Sequence, residues 1–150
     1  MMIEDFKKRL SHTLLDVHLF EREKSDENVK KAADLITAKF GFKPLGDRWW
    51  DLDWDYRPYT YKGGQRGDPV LPLAEAIQGK MTAYSERWFS EEEAYQLAFD
   101  FYSLFSKTDL VRLSNRIGNG WNPITPYTFE AVHIAMDDKN IGLLWFGDED

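Results

Sequence analysis

Apolar residues recur along this chain at two periods, and each period predicts a set of elements. Ile3, Phe6, Leu10, Leu14 and Val17 fall three or four apart, so residues 3–22 are expected to form an amphipathic helix. Val29, Ala32, Ala33, Ile36 and Phe40 repeat that spacing in a second helix. Ser25 can cap it, Asp26 and Glu27 suit its first turn, and Gly41 and Pro44 end it. The two make a helical hairpin that covers one side of a sheet. Ser90-Glu91-Glu92-Glu93 is a capping box, and Ala94, Leu97, Ala98, Phe101, Leu104 and Phe105 form the buried stripe of the helix it opens. Shorter helices are expected over 72–78, ending at Gly79, and from Thr108 through Leu110, Leu113 and Ile117 to Gly118.

The second period is two. Residues 48–62, broken at Pro58, and residues 81–88 read as strands. Thr128–Met136 and Ile141–Phe146 read as two more, joined by the turn Asp137-Asp138-Lys139-Asn140. Val132, Ile134 and Met136 alternate with small or polar residues, whereas Ile141 to Phe146 is apolar on both parities, as in a strand buried on both faces. Gly63 to Pro69 is a loop, and Gly118-Asn119-Gly120 with Pro123 and Pro126 marks a long irregular connection. These elements give one α+β domain over residues 1–150. An N-terminal helical hairpin and a middle helix pack on a mostly antiparallel sheet that ends in a C-terminal β-hairpin.

Within 48–62, the run Trp49-Trp50-Asp51-Leu52-Asp53-Trp54-Asp55-Tyr56 sorts by parity. As a strand it turns Trp50, Leu52, Trp54 and Tyr56 to the core and Asp51, Asp53 and Asp55 outward, with Trp49 at their edge. A second acidic element closes the sequence at Asp148-Glu149-Asp150.

The totals sharpen this picture. Ten Phe, seven Tyr and six Trp in 150 residues supply enough apolar surface for a core without staples. No cysteine is present, which excludes disulfides, thiol catalysis and cysteine-bound zinc and fits a reducing cytoplasm. Met1 to Asp5 has neither a basic nor an apolar leader region, and no apolar run approaches ~20 residues, so neither a secretory signal nor a membrane span is expected. The net charge is −7, unevenly spread: residues 1–43 hold 8 acids and 9 bases, and residues 44–150 hold 18 acids and 10 bases. Such a field repels nucleic acid and anionic membranes and attracts basic partners.

Catalytic motifs are lacking. Asp51-x-Asp53-x-Asp55 resembles the start of a calcium loop, but Tyr56 stands where the turn needs Gly and Lys62 where the loop needs Glu. His12, His18 and His133 have no metal-binding spacing, and His133 in an apolar strand reads as a core histidine. Gly63-Gly64-Gln65-Arg66-Gly67 lacks the Lys-Ser/Thr ending of a phosphate loop. Glu91 to Glu93 have a sufficient role at a helix N-terminus. Trp121, between Gly120 and Asn122, reads as an anchor that folds its loop down, with an exposed binding hot spot as the alternative. Neither metal nor cofactor is expected, and no enzymatic activity. A surface of Trp49, Asp51, Asp53, Asp55 and Tyr59, with Asp148, Glu149 and Asp150, is the candidate for binding a basic protein. The alternative is a small α+β enzyme or ligand-binding protein with an aromatic pocket of Trp50, Trp54, Tyr84, Trp88 and His133.

The C-terminal residues carry a resemblance. An apolar strand, the Asp137-Asp138-Lys139-Asn140 turn and the run Ile141-Gly142-Leu143-Leu144-Trp145-Phe146-Gly147-Asp148-Glu149-Asp150 resemble the terminus of small bacterial immunity proteins. These belong to the polymorphic-toxin and contact-dependent growth inhibition systems. The likeness covers about the last twenty-five residues. It implies a cytoplasmic protein that binds a cognate toxin domain and blocks its active site. Many such toxins are nucleases with basic clefts, so an acidic face would imitate a phosphate backbone.

Overall fold

The structure, a computed structural model, describes residues 2–23, 28–56, 67–117 and 120–149. The elements are α1 (Ile3–Arg9), β1 (Asp16–Glu21), α2 (Val29–Ala38), β2 (Trp50–Asp51), α3 (Leu52–Asp55), α4 (Leu71–Gln78), α5 (Glu91–Tyr102), β3 (Val111–Ser114), β4 (Arg116–Ile117), β5 (Gly120–Trp121), β6 (Phe129–Met136) and β7 (Asn140–Asp148). Five strands form an antiparallel sheet in the order β1-β7-β6-β3-β2, and β4 and β5 form a separate small ladder. The class is α+β, and the β6–β7 hairpin is the long C-terminal one that the sequence predicts.

Both faces of the sheet are covered, which explains the doubly apolar β7. Leu144 and Phe146 join Ala131 and Ala135 of β6 beneath α1, α4 and α5, with Phe6, Leu73, Ile77, Leu97 and Phe101. Ile141 and Leu143 join Val132, Ile134 and Met136 on the opposite face, under Ala33 and Ile36 of α2. Gly142 lets α5 approach closely: a Cβ there would sit 2.6 Å from the Phe105 ring and 2.8 Å from Phe101.

The middle helix starts where its capping box places it. Ser90 Oγ accepts from the Glu93 N–H at 3.2 Å, and Glu93 Oε1 accepts from the Ser90 N–H at 3.3 Å. Ser90→Ala is expected to lower stability by about 1 kcal/mol, read as a shift in the urea midpoint at unchanged slope. Helix α4 ends at Gly79, whose φ of +96° is the left-handed stop expected of it.

Four expectations fail, each for a physical reason. There is no N-terminal helical hairpin. Helix α1 ends after Arg9, Thr13 Oγ1 donates to the Leu10 carbonyl and accepts from the Leu15 N–H, and the chain then enters β1. Leu15, Val17 and Leu19 also alternate, and pairing with six residues of β7 satisfies edge N–H and C=O groups of β7 that a longer helix would leave unpaired. Helix α2 lies on the other face and is capped by Asn28, which accepts from Lys30 and Lys31; Ser25 lies outside the described residues. The strand expected over 48–62 lasts two residues before α3, and residues 57–62 lie outside the described residues. Residues 81–88 are turns and irregular chain, in which Thr82 Oγ1 accepts from the Glu86 N–H and Ser85 takes a φ of +49°. The helix expected after Thr108 is instead β3, where Val111 to Ser114 pair with Met136 to His133.

Candidate functional site

Three carboxylates in five residues build the turn from β2 into α3. Asp51 caps α3: its Oδ1 accepts from the Asp53 N–H at 3.1 Å. Asp55 Oδ2 accepts in return from the Asp51 N–H at 2.7 Å. Asp53 Oδ1 is 2.9 Å from Arg112 Nη1, and that guanidinium lies 4.7 Å from the centre of the buried Tyr102 ring. The Asp-x-Asp-x-Asp spacing therefore serves a helix cap rather than a flat strand face, because short acidic side chains compete well for nearby N–H groups. Burial, and then the charges of Asp53 and Asp55, push the Asp51 carboxyl above its usual range against the pull of the Asp53 N–H.

Helical turning also redistributes the aromatics. Trp49, expected beside the carboxylates at the surface, is 1 % exposed and belongs to the core, where its Nε1–H donates to Asp34 Oδ1 at 2.8 Å. Trp50 and Trp54, expected in the core, are 38 % and 61 % exposed. Leu52 and Tyr56 are buried as expected. Tyr59 and Asp150 lie outside the described residues.

The C-terminal acids hold the fold together locally. Asp148 Oδ2 accepts from the Ala83 N–H at 2.9 Å, and Glu149 accepts from the Thr128 N–H and hydroxyl. They do not join the acids of α3. Asp51 pairs with Leu113, Leu113 with Ile134 and Ile134 with Leu143, and Asp148 lies five residues further along β7. Three inter-strand steps of about 4.8 Å and five residues of about 3.3 Å separate the two groups by on the order of 20 Å.

Beside α3 lies an open groove of about 550 Å³, lined by Trp50, Asp55, Ile117, Gly120, Trp121 and Asn122. Its far wall is the β4–β5 ladder, in which Arg116 pairs with Trp121 and its guanidinium lies 4.5 Å from the Trp121 ring centre. Trp121 thus anchors its loop and also lines the groove. The ladder is fixed from below by Glu130, which is wholly buried. Its carboxylate accepts from Asn115 Nδ2 at 2.9 Å, the Ile124 N–H at 3.1 Å, the Thr125 N–H at 3.2 Å and the Thr125 hydroxyl at 3.0 Å. Asn115 Oδ1 accepts from the Val132 N–H at 2.7 Å, and Arg116 Nη1 donates to the Glu130 carbonyl at 3.2 Å. Burial raises the Glu130 carboxyl against these four donors and lowers the Arg116 guanidinium. Sequence reasoning passed over Asn115, Arg116 and Glu130. The available signal was an isolated acid in the apolar run Phe129 to Met136.

The residues of an aromatic pocket do not converge. Trp50 lines the groove, Trp88 lines a different depression near the start of α5, and Tyr84 is 76 % exposed on a turn. His133 is fully buried, with Nε2 3.5 Å from Ser114 Oγ and Nδ1 unpartnered. Burial, aided by the Arg116 charge, lowers its pKa to about 3, so the ring is neutral and sealed from solvent. Among the described residues no three His, Asp or Glu side chains are grouped to hold a metal ion, and no helix is long and apolar enough to cross a membrane. No protein-family model matches the chain, and neither does any curated protein or solved structure.

Proposed function

We propose that this chain is a binding protein that captures a basic protein partner at the α3 groove. Given the resemblance of its C-terminal strand, it would act in the cytoplasm as an immunity protein of the contact-dependent growth inhibition kind, neutralising a nuclease toxin domain. The observation that carries the reading is the pair of exposed tryptophans, Trp50 and Trp54, on a doubly capped acidic turn at the groove's edge. Exposed tryptophans on rigid supports are the usual anchors of protein interfaces, which draw most of their energy from a few such residues. The carboxylates of Asp51, Asp53 and Asp55 supply the complementary field. Their share is steering more than affinity, because Asp53 already faces Arg112 and the other two accept backbone bonds.

That division of labour sets the test. Affinity capture from the native host at low and high ionic strength should yield one stoichiometric basic partner, held less well at high salt. Against that purified partner, Trp50→Ala combined with Trp54→Ala should weaken binding by at least about tenfold, chiefly through faster dissociation. Aspartate substitutions are poorer probes, since each removes a bond that shapes the turn. A partner bound equally well by the double variant would move the interface elsewhere, and no partner at either salt would end this reading.

A further inference from the structure

A second recess lies between α4 and α5 and shares no residue with the groove. It is an open recess of about 500 Å³, a volume in the range of small-molecule sites. Leu71 and Ala74 form its apolar floor beside Gln78, Tyr95 one wall, and Glu75, Glu91 and Glu92 its polar side. Ala74 is the residue that makes room: it is small, buried where α4 borders the recess, and flanked along that border by the larger Leu71 and Gln78. The Tyr95 ring is held in place because its hydroxyl donates to Asp68 Oδ2 at 2.6 Å, while Asp68 Oδ1 accepts from the Val70 N–H at the start of α4.

Glu75 is the anomalous group. It is half-buried, and among the described residues it makes neither a hydrogen bond nor an ion pair. The cations near enough to act on it are engaged elsewhere. Lys80 is 3.7 Å from Glu91, and Arg116 donates to the Glu130 carbonyl and lies over Trp121. Burial pushes the Glu75 carboxyl above the usual range, with Lys80 and Arg116 pulling only partly the other way. A carboxylate turned toward an apolar recess without a partner carries a desolvation cost that an incoming cation would relieve. Glu91 and Glu92 serve the first turn of α5, which leaves Glu75, the apolar floor and the fixed ring to define the recess.

We infer that this recess is a binding site for an aliphatic cation: a short hydrocarbon stem over Ala74 and Leu71 that ends in a guanidinium or ammonium paired with Glu75 and passing the face of Tyr95. Such a group is carried equally by a free alkylamine and by an arginine or lysine side chain.

The test is a titration of the isotopically labelled full chain, followed by backbone NMR, with three probes. These are agmatine, n-butylurea as the uncharged counterpart of its guanidinobutyl arm, and a blocked tripeptide with a central arginine. Agmatine should give saturable shifts confined to residues 71–78 and 91–95, n-butylurea should not, and Glu75→Gln should weaken agmatine by about tenfold. The Trp50→Ala, Trp54→Ala protein should bind agmatine as wild type does, so failure of the groove reading leaves this site standing and the reverse also holds. A peptide that matches agmatine assigns the site to a protein side chain; binding of agmatine alone assigns it to a free amine. Equal binding of n-butylurea, unsaturable shifts spread over the acidic surface, or an unchanged affinity in Glu75→Gln would each overturn the site.

Discussion

Glu130→Leu should lower the free energy of unfolding by about 3–5 kcal/mol, the range found when one member of a buried charged network is removed. The carboxylate takes four donors: Asn115 Nδ2, the Ile124 and Thr125 N–H groups and the Thr125 hydroxyl. A leucine fills the space and leaves the two backbone donors without an acceptor in a region closed to water, and each such loss costs about 1–3 kcal/mol. The buried Arg116 also loses one of the two negative charges near it and keeps that of Glu75. Glu130→Gln keeps the shape and part of the bonding, so its cost should be smaller, about 1–3 kcal/mol. Urea unfolding of the three proteins at neutral pH would measure this. A Glu130→Leu protein within about 1 kcal/mol of wild type would show that solvent or a rearranged loop satisfies those donors, and the network would no longer explain the loop's position. The consequence for the groove is direct, because residues 115–125 carry its far wall. Even under conditions where Glu130→Leu is folded, the Arg116–Trp121 stack should loosen and the fluorescence of Trp121 should change.

The parts of this fold that were legible in the sequence are those decided locally. Ser90 and Glu93 satisfy each other's backbone, Gly79 takes a φ closed to most residues, and Val132, Ile134 and Met136 need only one buried face. The doubly apolar run from Ile141 to Phe146 requires two covered faces, and it has them. The N-terminus was not legible, because Leu10, Leu14 and Val17 fit a helix while Leu15, Val17 and Leu19 fit a strand. The arbiter is β7, more than a hundred residues away. The acidic turn misled for a related reason. Alternation of Asp with Trp or Leu is what a half-buried strand shows, yet aspartates two apart also cap a helix start, and only the sheet's ending at Asp51 selects between them. That one choice exchanges Trp49 with Trp50 and Trp54 between core and surface, and so it changes the candidate interface. Glu130 was visible as a polar residue in an apolar strand, but its donors are Asn115, Ile124 and Thr125, which belong to no periodic run in the sequence.

His133 gives the clearest pH signature the molecule should have. Its pKa falls from an ordinary value near 6.5 to about 3 because the neutral ring is buried beside Ser114 and close to the Arg116 charge. A depressed histidine means that the unfolded chain binds the proton more readily than the folded one. The folded state is therefore favoured fully above pH 6.5, and that advantage is lost as pH falls from 6.5 toward about 3. Within this window the contribution changes by about 1.4 kcal/mol for each pH unit. The raised carboxyls of Asp51, Glu75 and Glu130 act in the opposite direction, so the slope of the wild-type protein alone is ambiguous. The difference between wild type and His133→Leu is not. Leucine replaces a ring whose Nδ1 has no partner, so the two proteins should lie within about 1 kcal/mol of each other at pH 7. On acidification the wild type should then lose stability faster than the variant, by the equivalent of one proton, and urea midpoints taken between pH 7 and 4 would separate them. Parallel curves over that range would mean that the His133 ring is protonated in the folded state, which requires either water at Nδ1 or a displaced Arg116. The sealed imidazole would then have to be reconsidered as a group within reach of solvent chemistry.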